Sequence, residues 1–170
     1  IVSFGTHIIV PDDMIEAVEG RAFNFHPALL PRHGGPFPFQ SLLFHEEAEL
    51  YGGMTLHCMT SKIDGGPIIA QKHCPFHPGT DRQRHSLALA DAAFELMQEL
   101  PAVLNEQIGP REQSLGERTY FPKDNIPVRV TPGMNMGDLH RFCRTVGQYF
   151  GRFPVIPIPG AASIIASGLP

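Results

Sequence analysis

Apolar positions along the chain recur with two periods, and the change of period marks the elements. Ile1–Phe4 is an apolar run that predicts a short buried strand, followed by a Gly5-Thr6-His7 loop. Pro11 predicts a helix start, because proline fits the first turn and Asp12 and Asp13 suit the positive helix end. Met14, Ile15 and Val18 give that helix an apolar face, and Gly20 ends it. Ala22–Phe25 predicts the next strand and delivers Asn24 and His26 at its carboxyl end, where open α/β sheets bind ligands. Pro31–Pro38 is a loop, and Pro38 opens a helix through Phe39, Leu42 and Leu43. Gly52-Gly53 interrupts the chain before a strand at Met54–Thr60. A tight loop, Ser61–Pro67, and a strand, Ile68–Gln71, complete a hairpin. Thr80 and Gln83 have capping-box spacing. The long helix behind them carries Leu87, Ala90, Phe94, Met97 and Leu104 at helical intervals, and Pro101 kinks or ends it.

The composition shifts near Gly109. The stretch to Pro132 is turn-rich, with a short strand at Thr119–Phe121. Asn135 caps a second amphipathic helix, supported by Asp138, with Leu139, Phe142, Cys143, Val146 and Phe150 on one face. The tail from Phe153 to Ala161 is proline-rich and extended. Strands separated by helices predict an α/β open sheet over residues 1–108, with residues 109–170 as a linker and small appendage. The chain opens on Ile1, in a strand already under way, so we expect a piece of a longer polypeptide that lacks an N-terminal part.

Of 170 residues, 42% are apolar, enough for a real core. Net charge is −4, from 13 basic and 17 acidic residues, without a basic block of the kind nucleic-acid surfaces need. Nucleic acid is therefore disfavoured as a partner, although tRNA stays open. Three widely spaced cysteines, Cys58, Cys74 and Cys143, do not make a disulfide framework and fit a reducing cytoplasm. No apolar run reaches the roughly 18 residues of a membrane helix, and no signal peptide opens the chain.

Chemistry concentrates in two short motifs. In Asn24-Phe25-His26-Pro27, the Asn and His side chains leave one face of a strand, since alternate residues share a face. Alone, such a pair is most often a hydrogen-bonded polar pair at a strand end. Two features raise its interest. The rigid His26-Pro27-Ala28-Leu29-Leu30-Pro31 segment bends away and opens space beside His26. Asp64, in Lys62-Ile63-Asp64-Gly65-Gly66-Pro67, follows another strand end, with glycines that let the backbone approach a ligand. An amide, an imidazole and a carboxylate together suit acyl transfer to an amine: oxyanion stabilisation, proton handling and control of the imidazole's charge.

Asn24-x-His26-Pro27-x-Leu29-Leu30-Pro31, then Gly35-x-x-Pro38-x-Gln40, then Ile63-Asp64-x-Gly66-x-Ile68-x-x-Gln71 resembles the folate-dependent formyltransferase family. That family includes the glycinamide ribonucleotide, methionyl-tRNA and sugar N-formyltransferases. The resemblance is strong from Ile1 to Gln71 and weaker through 81–108. Thr119-Tyr120-Phe121-Pro122-Lys123, the 138–150 helix and Pro159-Gly160-Ala161 resemble the segment after the catalytic domain in the methionyl-tRNA and sugar branches. The His-to-Asp spacing is slightly long for the family, with the extra residues assigned to Phe44–Gly53, and the family's N-terminal half is absent.

The resemblance implies an open, mostly parallel Rossmann-like sheet, the formyltransferase fold, present in part. It implies transfer of a formyl group from 10-formyltetrahydrofolate to an amine, catalysed by Asn24, His26 and Asp64 without a metal. The donor's pterin pocket falls on two loops. Phe4–Val10 contributes Thr6, His7, Ile8 and Ile9; Thr60–Asp64 contributes Thr60, Ser61, Lys62 and Ile63. A small-molecule amine is the favoured acceptor, such as an amino sugar nucleotide or amino acid derivative. A 10-formyltetrahydrofolate hydrolase, a methionyl-tRNA formyltransferase and a non-catalytic folate-binding module are the alternatives.

Other candidates have plainer readings. His7 is read as a loop histidine with a lesser chance of touching folate. His73-Cys74-Pro75-Phe76-His77 lacks the ligand count of a zinc site. His57 is a hydrogen-bonded strand histidine or a partner of the site. Arg32, His33 and Arg82 are expected as surface charges, and Phe37 and Phe39 as packing residues.

Overall fold

The computed structural model describes residues 1–6, 8–122, 130–131, 133–150, 155–156 and 164–165. His7, Lys123 and most of the proline-rich tail, Pro159-Gly160-Ala161 included, lie outside the described residues.

Four strands form one sheet in the order β1 (Val2–Phe4), β2 (Phe23–His26), β3 (Gly53–Cys58), β4 (Ile68–His73). β1 and β2 run parallel, joined by a crossover that holds α1 (Asp12–Ala17), as parallel pairing requires. β2–β3 and β3–β4 are antiparallel. Within this sheet, parallel pairing is thus confined to β1–β2. The chain leaves the carboxyl end of β2, passes through α2 (Pro38–Phe44) and α3 (Ala48–Tyr51), and re-enters beside its exit, where the Leu29 amide donates to the Tyr51 carbonyl at 2.9 Å. It must therefore run back antiparallel. The helical turn α3 occupies the Phe44–Gly53 stretch that was assigned the extra residues.

β1 corrects the expectation of a buried strand. Val2 and Phe4 are about half exposed, and among the described residues β1 is an edge strand that pairs only with β2. Phe4 still meets Phe25 edge-on, with ring centres 5.9 Å apart.

α4 (Arg82–Met97) covers the sheet. Leu89, Ala92, Ala93 and Leu96 pack on Phe23, Phe25, Met54 and Leu56. The buried face is not the expected one: Leu87, Ala90, Phe94 and Met97 point outward, and Leu104, on α5, is also exposed. The helix carries two apolar stripes. The one that wins contains Ala92 and Ala93, whose small side chains let the helix approach the sheet closely. Its cap also differs from Thr80. Asp81 Oδ1 accepts from the Arg84 amide at 2.7 Å, while the Thr80 hydroxyl accepts from the His77 amide at 2.9 Å. α4 ends at Met97, and Pro101 sits in the first turn of a short α5 (Leu100–Leu104), where a residue without an amide hydrogen is tolerated.

A second core joins α2 and α3 to the helical stretch 136–150. Asn135 caps α6 (Met136–Phe142) by accepting from the Asp138 amide at 2.9 Å. The helix widens through one π turn, Cys143–Gly147, into α7 (Gln148–Phe150). Phe142, Val146 and Tyr149 pack on Ala28, Leu42, Leu43, Phe44 and Phe76. β5 (Val155–Ile156) and β6 (Ile164–Ile165) form a separate antiparallel pair. Among the described residues, no helix is long and apolar enough to cross a membrane.

Candidate active site

β2 sorts its side chains by face. Phe23 and Phe25 go to the core beneath α4, and Asn24 and His26 go to the opposite side. His26 is 3% exposed, and its Nε2 lies 2.9 Å from the backbone carbonyl of His33. A carbonyl only accepts, so Nε2 carries the proton. The other nitrogen, Nδ1, faces Asp64 Oδ1 at 3.5 Å.

Asn24 pairs directly across the sheet with His57 on β3. His57 Nδ1 is 2.8 Å from the Cys58 carbonyl and must donate to it. Its Nε2 therefore presents a lone pair and accepts from Asn24 Nδ2 at 3.1 Å. Burial, reinforced by neighbouring His26, pushes the His57 pKa down to about 4, so the ring stays neutral near pH 7. The Asn24 amide is thereby fixed in orientation: one N–H is used on His57 and the second serves the cleft.

Asp64 comes from the loop between β3 and β4. Its φ is +50°, in the left-handed region. Asp64 Oδ2 accepts from the Gly35 amide at 2.8 Å, and Oδ1 lies 3.7 Å from His57 Nε2. Gly66 must be glycine, because a Cβ there would collide with the Cys58 carbonyl. The three residues singled out from the sequence thus converge, with His57 as a fourth member.

His33 is a correction. It was expected at the surface but is completely buried. Its Nε2 donates to Glu47 at 2.6 Å, and its Nδ1 accepts from the Ser41 hydroxyl at 2.7 Å. Burial holds its pKa near 4, outweighing the Glu47 carboxylate, so it too stays neutral. Arg32, half-buried, pairs with Glu47 at 3.3 Å and lies over the Tyr51 ring. Nothing in the sequence marks His33, because its partners are distant and its burial depends on how the loop turns. Arg82 is exposed and lies beside the Phe150 ring, at 5.9 Å.

Asn24, His26 and Asp64 open onto an apolar cleft of about 650 Å³. Of the residues assigned to the donor pocket, Thr6, Ile8, Ile9, Thr60, Lys62 and Ile63 line it, whereas Ser61 does not. Phe37 and Phe39 reach its wall, and Phe39 also packs edge-on against Phe76 and His85. Tyr120 and Phe150 join them from beyond residue 109, a contribution that no pattern in the sequence predicts. Chemically, the site offers a fixed amide donor, an imidazole of defined tautomer and a carboxylate, on the wall of a largely apolar cleft.

Residues 1–100 match the family model described as formyl transferase. The chain belongs to the formyl transferase family. It is 35% identical over 133 residues to the mitochondrial methionyl-tRNA formyltransferase of Saccharomyces cerevisiae, covering 74% of this chain and 32% of that protein. The chain thus spans about a third of the length of that curated relative. Two solved formyltransferases share the fold. One is PseJ from Anoxybacillus kamchatkensis, in complex with UDP-4,6-dideoxy-4-formamido-L-AltNAc and tetrahydrofolate (TM-score 0.64, 22% identity, 89% of this chain and 76% of that one). The other is an N-formyltransferase from Helicobacter canadensis with folinic acid and dTDP-3-aminofucose (TM-score 0.66, 22% identity, 87% and 54%).

Proposed function

We propose that this chain carries the donor site and proton-handling groups of a folate-dependent formyltransferase. The enzyme moves the formyl group of 10-formyltetrahydrofolate onto the amine of a small molecule. One observation carries the reading: Asn24, His26 and Asp64 meet in defined hydrogen-bonding states on one apolar cleft. The folate compounds bound to both solved formyltransferases support the donor assignment.

In this reading the amine nitrogen attacks the formyl carbon, and the carbonyl oxygen becomes an oxyanion. The free N–H of Asn24 stabilises that charge; one such preorganised donor contributes roughly 3–4 kcal/mol. His26 takes the amine's proton at Nδ1, and the Asp64 carboxylate balances the resulting imidazolium. The C–N bond to the folate then breaks. The departing nitrogen receives the proton, and the products are a formamide and tetrahydrofolate.

The formyl donor lies between the 4–10 and 60–64 loops. The acceptor enters from the side of Phe37, Phe39 and Phe150. An amino sugar nucleotide fits the nucleotide-linked sugars held by the two solved relatives and the acidic balance of the chain. Residues 109–170 act as an appendage to the catalytic part, in the cytoplasm.

The test is release of tetrahydrofolate from 10-formyltetrahydrofolate by the longest natural form of the protein. It is run without amine, with amino sugar nucleotides and with methionyl-tRNA. Release only with an amino sugar nucleotide is the expected result, and Asp64→Ala should abolish it while folate binding persists. Release only with methionyl-tRNA would overturn the acceptor. Release as formate without amine would make the enzyme a hydrolase, and unchanged turnover in Asp64→Ala would overturn the mechanism.

A further inference from the structure

Residues 111–121 lie across the 31–38 loop and the 61–67 loop. Ile68 and Arg111 exchange two backbone hydrogen bonds of 2.8 Å, which fasten the segment to β4. Further on, Arg118 donates to the Ile63 carbonyl at 2.8 Å. The Thr119 hydroxyl accepts from the His33 amide at 2.9 Å, and the Thr119 carbonyl accepts from Gly34 at 3.0 Å. The Phe121 amide returns a bond to the Gly34 carbonyl at 2.8 Å. Gly35, at φ +122°, must lack a side chain, because a Cβ would strike the Phe121 carbonyl.

Gln113 sits between these anchors, 8% exposed. Its Nε2 donates to the Asp64 carbonyl at 3.0 Å and to the Gly66 carbonyl at 2.7 Å. Only the NH₂ end of the amide can satisfy two carbonyls, so both hydrogens are committed and the orientation is unambiguous. The two acceptors flank the Asp64–Gly66 turn. Tying them to one nitrogen fixes the peptide planes on either side. Asp64 holds a left-handed backbone, which aspartate adopts more readily than most residues with a side chain but which is still sparsely populated, and the clamp helps to keep it there. The backbone sets the direction of the Cα–Cβ bond. That direction lets the carboxylate reach the Gly35 amide at 2.8 Å and face His26 Nδ1 at 3.5 Å.

We infer that Gln113 is a positioning residue: it clamps the Asp64 turn from outside, and the strap 111–121 thereby aims the carboxylate. The inference rests on the proposed role of Asp64, but its first test needs no turnover. Gln113→Met keeps the side-chain volume and removes both donors. In the full-length protein, amide hydrogen exchange at Gly35 is compared among wild type, Gln113→Met and Asp64→Ala. Gly35 should exchange roughly tenfold faster in both variants, while Ile68 and Arg111 stay protected. Turnover should fall about 10–100-fold with the folate KM nearly unchanged, as expected for a misplaced group. The loss should disappear in an Asp64→Asn background, since the two residues act as one unit.

Unaltered Gly35 exchange overturns the inference. So does loss of protection at Ile68 and Arg111 together with Gly35, which would make Gln113 an anchor of the strap only. Altered exchange with normal kcat overturns it as well. If Gly35 responds but the wild type itself transfers no formyl group, the proposed function fails and the clamp stands.

Discussion

Thr55 has no exposed surface, and its hydroxyl serves three partners. It donates to the Ala28 carbonyl at 2.6 Å and accepts from the Leu30 amide at 3.1 Å and Gln71 Nε2 at 3.0 Å. Those bonds fix the His26–Pro31 segment where it leaves β2. Thr55→Val keeps the shape but strands the Ala28 carbonyl and the Leu30 amide, while Gln71 keeps its bond to the Leu30 carbonyl, so chemical denaturation should show a loss of about 2–4 kcal/mol. At this scale the sequence revealed residues that announce their chemistry by neighbours along the chain. Asn24 and His26 share a strand face, and Asp64 sits among glycines. It concealed Gln113 and His33, whose partners are set by tertiary contacts. It left His57 undecided, because strand pairing alone brings it to Asn24.

Among the elements, α4 is where the pattern misled. Its length and type were legible from the periodicity and from Pro101, but its rotation was not. Two apolar stripes compete on this helix, and the balance depends on how near the helix can lie to Phe25 and Leu56. The phases separate cleanly by mutation. Leu96→Ala empties a core position and should cost roughly 2–5 kcal/mol. Phe94→Ala removes a side chain that is 67% exposed and should change stability by only about 0.5 kcal/mol. Thermal or urea unfolding of the two variants checks this; equal losses would place both stripes in packed environments. The α2 and α6 assignments succeeded because a proline at the start of one and an asparagine cap on the other mark their ends independently of burial.

For the whole molecule, pH enters through buried histidines. His33 and His57 have pKa values near 4 in the folded protein, against an ordinary 6.5, and the cause in both is burial. The unfolded chain therefore binds more protons between these values. Stability is fully present above about pH 6.5 and is lost as pH falls toward 4, by on the order of 3 kcal/mol for each histidine. Urea midpoints should be flat from pH 7 to 8 and decline below 6.5; midpoints unchanged down to pH 4.5 would contradict the assignment. The α/β class and the family were legible at this scale from spaced motifs. The contribution of the appendage to the cleft, through Tyr120 and Phe150, was not.

The strap gives synthesis of the protein an order. Domains form as they leave the ribosome, N-terminal parts first. The four strands β1–β4 and α4 have emerged once Met97 has, whereas the bonds from residues 113–121 to Gly34 and to the Asp64 turn form only after those residues follow. A nascent chain therefore has its four-stranded sheet before the Asp64 turn is braced, and residues 113–121 supply that brace afterwards.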